Sequence, residues 1–66
     1  MKMVKIVMTD LDNGTIVRYS NNLQNSLKRV CEEMGWRRIS EFTIYLPNQV
    51  PMEFVVSGLC FCLKHE

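Results

Sequence analysis

Val4-Lys5-Ile6-Val7-Met8-Thr9-Asp10-Leu11-Asp12-Asn13-Gly14-Thr15-Ile16-Val17-Arg18-Tyr19-Ser20 is the stretch whose reading decides the fold. Apolar residues recur at every second position before Asn13-Gly14, and an apolar-rich run resumes after it, the pattern of two half-buried strands. Asn-Gly is the strongest short hairpin signal, because both residues accept the positive φ that a type I′ turn requires. A two-residue loop at Asn13-Gly14 predicts a register of Leu11 with Ile16, Asp10 with Val17 and Met8 with Tyr19. Val4, Ile6, Met8, Val17 and Tyr19 then share one face, the expected core face. Lys5, Thr9, Arg18 and Ser20 take the other, with Val7, Leu11 and Ile16 among them.

Downstream of the hairpin, Leu23, Leu27, Val30, Cys31 and Met34 fall on a single helical stripe between Ser20 and Gly35. Ser20 or Asn21 suits the N-cap, Gln24 stands three residues after Asn21 as in a capping box, and Gly35 suits the left-handed C′ position. Trp36 is expected to close that end hydrophobically. Phe42, Ile44 and Leu46 then alternate with Glu41, Thr43 and Tyr45 in a further strand that Pro47 and Asn48 end. Met52 to Lys64 is rich in Phe, Val, Leu and Cys, and Ser57-Gly58 interrupts it. One long strand with a bulge at Ser57-Gly58 is expected, the alternative being a two-residue turn joining Met52–Val56 to Leu59–Leu63. The fold class is therefore α+β: a small antiparallel sheet of about four strands, in the order β-β-α-β-β, with one helix packed on one face. Residues 1–66 form a single domain.

A chain of 66 residues buries only about 60% of the surface its unfolded form exposes, so its stability is small and surplus apolar surface becomes informative. With 47% apolar and 23% charged residues the composition is that of a folded domain. Eight basic against seven acidic side chains leave a net charge of +1, which excludes a global field drawing the chain to nucleic acid or anionic membrane. No apolar run approaches the length of a membrane span, and lysines inside Met1–Met8 argue against a signal peptide. Three cysteines, an odd count without secretory context, point to reduced thiols in the cytoplasm.

Met8-Thr9-Asp10-Leu11-Asp12-Asn13-Gly14-Thr15, following an apolar strand, resembles the first motif of haloacid-dehalogenase-type phosphatases, an apolar run and then Asp-x-Asp-Gly-Thr. The resemblance implies Asp10 as the nucleophile toward phosphate and Asp12 as acid/base, with Mg²⁺ offsetting their charge in a much longer Rossmann-like domain. Asn13 interrupts the pattern and the later motifs do not follow, so both aspartates are expected to flank and solubilise a turn. Cys60, Cys62 and His65, with Cys31 on the helix stripe, make up a Cys₃His set in type but not in the spacing of common zinc knuckles. The thiols are expected to be buried. A Cys62/His65 pair lacks a third group to orient it, and no glycine-rich phosphate loop exists. No enzyme activity, metal or cofactor is expected.

Two surfaces remain. Lys28, Arg29, Trp36, Arg37 and Arg38 gather basic charge and one aromatic ring at the end of the helix, a patch that suits phosphate and an unstacked base. Glu32 and Glu33, one turn beyond Lys28 and Arg29, partly neutralise it. The bulged strand carries apolar residues on both faces: Phe54, Val56, Cys60 and Cys62 on one, Val55, Leu59, Phe61 and Leu63 on the other. One helix covers one face of a sheet, so Val55, Leu59, Phe61 and Leu63 are the expected partner and dimer surface. The expected function is a non-enzymatic protein-binding module, a homodimer that regulates or inhibits a larger macromolecule and has an unidentified protein as partner. Nucleic-acid binding through the basic patch is the alternative. In scale alone, the chain resembles accessory proteins of phages and mobile elements.

Overall fold

Alternation between Val4 and Asp10 becomes a strand because a pleated chain sends every second side chain to the same face. The computed structural model describes residues 3–64. Its elements are β1 (Val4–Asp10), β2 (Gly14–Ser20), α1 (Leu23–Trp36), β3 (Ile39–Tyr45), β4 (Met52–Ser57) and β5 (Cys60–Leu63). The strands form one antiparallel sheet in the order β2-β1-β3-β4-β5. The class is α+β as expected, with five strands where about four were expected.

The first hairpin forms where Asn13-Gly14 places it, but in another register. Asp10 pairs with Gly14, Met8 with Ile16 and Lys5 with Tyr19, leaving Leu11, Asp12 and Asn13 as the loop. The cause lies in Asp10. Its carboxylate accepts the Asp12 N–H at 2.8 Å and the Asn13 side-chain amide at 2.9 Å, which draws both residues into the loop. Gly14, at φ 82°, absorbs the positive φ. Met8 now faces Ile16 rather than Tyr19, a shift of three residues, and an odd shift turns a strand over. Val4, Ile6 and Met8 are buried as expected, while Val17 and Tyr19 stand on the opposite, solvent face. Arg18 and Ile16 take their places under the helix.

The last two strands are also a hairpin. Ser57 pairs with Cys60 across the two-residue turn Gly58-Leu59, so the bulged single strand is not what forms, and the turn sits one residue later than the alternative placed it. Gly58 at φ 65° in the first loop position is the feature that a type II′ turn demands. The hairpin re-phases the faces. Phe54 pairs with Leu63 and Val56 with Phe61 on the helix side, whereas Val55 pairs with Cys62 on the other.

The core lies between α1 and the sheet: Val4, Ile6 and Met8 from β1, Ile39, Phe42 and Ile44 from β3, Phe54 from β4 and Val30 from α1. Phe42 stacks on Phe54 at 4.7 Å, and Phe61 meets both edge-on at 5.1 and 5.6 Å. These rings carry the core outward from under α1, whose close approaches are to β1, β2 and β3. Ser40 is the extra residue of a bulge opposite Thr9 and Asp10, and its hydroxyl donates to the Thr9 carbonyl at 3.4 Å. No helix among the described residues is long and apolar enough to cross a membrane.

Replacing Phe42, 1% exposed, with alanine is expected to cost about 3–5 kcal/mol, most of the stability of so small a domain. Urea denaturation checks it: the variant should lack a folded baseline, and a midpoint unchanged from the wild type would contradict this packing.

Candidate functional site

On α1 the buried stripe is rotated from the apolar one. Asn22 is the N-cap, its side-chain oxygen accepting the Asn25 N–H at 2.8 Å, in place of Ser20 or Asn21. From that start, Ser26, Val30 and Glu33 point at the sheet, and Cys31 points to solvent. Ser26 is satisfied by the Asn22 carbonyl at 2.8 Å and by the Ser20 hydroxyl. Gly35 lies inside the helix, the C-cap is Arg37 in extended conformation, and Trp36 is 74% exposed rather than packed against the helix end.

Glu33 is the most constrained charge among the described residues. Its side chain is 2% exposed and meets three guanidinium groups: Arg37 Nε at 2.7 Å, Arg18 Nε at 3.1 Å and Arg29 Nε at 3.3 Å. Burial pushes its pKa up, the Arg37, Arg18 and Arg29 hydrogen bonds push it down, and the net direction is down. Arg37 also reaches Asp10 Oδ2 at 3.9 Å. The Asn13 side chain, then the Asp12 backbone, and more weakly Arg37, hold the Asp10 carboxyl below its ordinary value against the effect of burial. With its oxygens engaged by Asn13, Asp12 and Arg37, Asp10 is an anchor for the turn. Asp12 pairs with Arg38 at 3.2 Å. β1 runs antiparallel to both neighbours, where the phosphatase resemblance implied a Rossmann-like domain.

The same contacts redistribute the basic patch. Arg29 and Arg37 turn to Glu33 and Arg38 turns to Asp12, which offsets their charge, while Trp36 is left exposed without them. Lys28 lines a shallow groove with Arg29, Asn25 and Glu32 of α1 and Tyr19 and Ser20 of β2. Its volume of about 280 Å³ falls just short of the roughly 300–1,000 Å³ of ligand sites, and both signs of charge line it.

The cysteines are exposed, not buried: Cys31 on the outside of α1, Cys60 and Cys62 on the solvent face of β5. Among the described residues no three metal-ligating side chains converge, and His65 lies outside the described residues. Val55, Leu59, Phe61 and Leu63 do not share a surface. Phe61 and Leu63 stand on the helix side, Val55 on the opposite face, and Leu59 at a turn tip, 83% exposed.

What the structure does assemble is an uncovered sheet face, which the expected register hid. Three rows cross it, read by strand pairing: Tyr19, Lys5 and Tyr45; Val17, Val7, Thr43 and Glu53; Thr15, Thr9, Glu41, Val55 and Cys62. Val17, Tyr19, Tyr45 and Val55 are all exposed and Val7 is half-buried. Lys5 Nζ lies 5.7 Å from the Tyr45 ring centroid, a cation–π contact. At the edge, Arg18 Nη1 donates to the Val17 carbonyl at 3.0 Å. No protein-family model, curated protein or solved structure matches this chain.

The charge network predicts an acid response with a definite sign. Glu33 and Asp10 have folded pKa values below their ordinary values of 4.5 and 3.8, so the unfolded chain takes up protons first as pH falls. Their stabilisation is present above those ordinary values and is lost below them. Thermal midpoints should therefore drop below about pH 4.5, and Glu33→Gln should flatten that drop while lowering the midpoint at neutral pH through a stability loss of about 1–3 kcal/mol for the lost charged bonds. An unchanged acid profile in the variant would contradict the network.

Proposed function

We propose that this chain is a cytoplasmic, non-enzymatic protein-binding module that acts by association, as a small regulator or inhibitor of a larger macromolecule. The observation that carries the reading is the sheet face opposite α1. Val7, Val17, Tyr19, Tyr45 and Val55 lie on it in adjacent rows with no layer of described residues over them. Valine and tyrosine add contact area at little entropic cost, and tyrosine keeps a polar end for hydrogen bonding at an interface. A face of this kind, with α1 packed on the other side of the sheet, supports a protein contact surface.

The charges on that face support the same reading over nucleic-acid binding. Lys5 is accompanied by Glu41 and Glu53, and the cations Arg29, Arg37 and Arg38 are each against a carboxylate. A phosphate backbone asks for clustered positive charge.

Affinity capture with the tagged chain tests the reading, comparing wild type with Val17→Asp/Tyr45→Asp. Both positions are exposed, so the variant should keep its far-ultraviolet circular dichroism and thermal midpoint. Proteins retained by the wild type should fall at least about ten-fold in the variant, as expected for charges placed in the middle of an apolar contact. Equal retention by both would overturn the assignment of this face.

A further inference from the structure

The placement of charge on the uncovered face points to its first occupant. Lys5 and Glu41 stand on neighbouring strands, β1 and β3, and Glu41 pairs with Thr9, four residues beyond Lys5. The two side chains are thus roughly 13 Å apart along the strands. Their midpoint falls between Val7 and Thr43, in the central row of the face.

We propose that a second copy of this chain packs on this face about a two-fold axis that lies in the plane of the interface and crosses the strands at Val7. This inference rests on the reading of the face as a protein contact surface. An axis set perpendicular to the line from Lys5 to Glu41 exchanges those two positions. Lys5 of each copy then stands over Glu41 of the other, and the contact is made twice, as an isologous interface requires. Val7 meets its own counterpart on the axis, and Tyr45 falls toward Val55 of the facing copy. The strands of the two sheets cross about 40° from antiparallel, near the roughly 30° of aligned sheet packing.

The size of the face fits the same occupant. Strands of seven residues are about 20 Å long, and five strands spaced about 4.8 Å apart span about 20 Å. Two such faces bury at most roughly 800 Å² in flat projection, below the roughly 1,200 Å² of a stable interface, so side-chain relief has to supply the rest and the pairing is weak and reversible. A heterologous partner of opposite charge has no comparable invitation, since the face carries both signs, Lys5 against Glu41 and Glu53. The paired form turns both copies of α1 outward, away from the contact.

Sedimentation equilibrium with single and paired charge reversals decides it. Wild type should run at twice the monomer mass. Lys5→Glu and Glu41→Lys, each placing like charges opposite one another twice, should each weaken the dimer by a factor of ten or more, on the order expected for like-charge contacts. The double reversal Lys5→Glu/Glu41→Lys should restore it. A monomer at millimolar concentration, or a dimer insensitive to either single reversal, would overturn the inference. A monomeric chain that still loses captured protein on Val17→Asp/Tyr45→Asp would overturn self-pairing alone and leave the contact-surface reading standing. A monomer that captures nothing through this face ends both.

Discussion

A carboxylate taken out of water has to recover its donors from the protein, and Glu33 recovers them from Arg18, Arg29 and Arg37. Each arginine comes from a different place: Arg18 from the edge strand β2, Arg29 from one turn earlier on α1, and Arg37 from the helix C-cap. Arg37 passes the connection on to Asp10 at the end of β1. The helix is therefore held in position over β1 and β2 by directional bonds as well as by packing. Hydrophobic contact alone is indifferent to small rotations of a helix, whereas a buried charge accepts only the orientation that completes its bonds. This explains why Cys31, apolar enough for the core, is turned out while Glu33 is turned in.

That orientation settles how far the helix reaches. α1 approaches β1, β2 and β3, so the far side of the sheet needs another way of burying its apolar residues. Phe42, Phe54 and Phe61 supply it, one ring from each of β3, β4 and β5, stacked and edge-on. Aromatic pairs in these geometries gain about 0.5–1.5 kcal/mol beyond their buried area. The second hairpin is what brings Phe61 back to the first two rings, because the Gly58-Leu59 turn folds β5 alongside β4. A continuous strand would have carried Phe61 away from them.

Much of the architecture was legible in the residues. Alternation located β1 and β3, the helical stripe located α1, and Asn13-Gly14 located the first turn. The register was not, because it depends on a contact that the Asn-Gly hairpin rule leaves out: the Asp10 carboxylate accepting from the Asp12 N–H, as in an Asx-turn, and from the Asn13 side chain. Three residues of slip turned β2 over, exchanging Val17 and Tyr19 for Arg18 beneath the helix. The expected surface of Val55, Leu59, Phe61 and Leu63 was misplaced for another reason: it assumed one strand bulged at Ser57-Gly58, whereas the Gly58-Leu59 turn folds β5 back and sends Phe61 and Leu63 to the helix side. Arg29, Glu33 and Arg37 do stand four apart in sequence, which announces a charged ladder on one helix face. Nothing in the chain itself says that this face is the inward one, since Glu33 is buried only because Arg18 arrives from elsewhere.

β2 ends the sheet on one side, and an edge strand offers its unpaired amides and carbonyls to any extended chain that meets it. The Val17 carbonyl on that edge is already taken by the guanidinium of Arg18, the side chain that also serves Glu33. A strand pairing at Val17 would have to displace a charged donor that Glu33 also holds. The residue that fastens the helix thus also occupies an acceptor on the strand where the sheet ends.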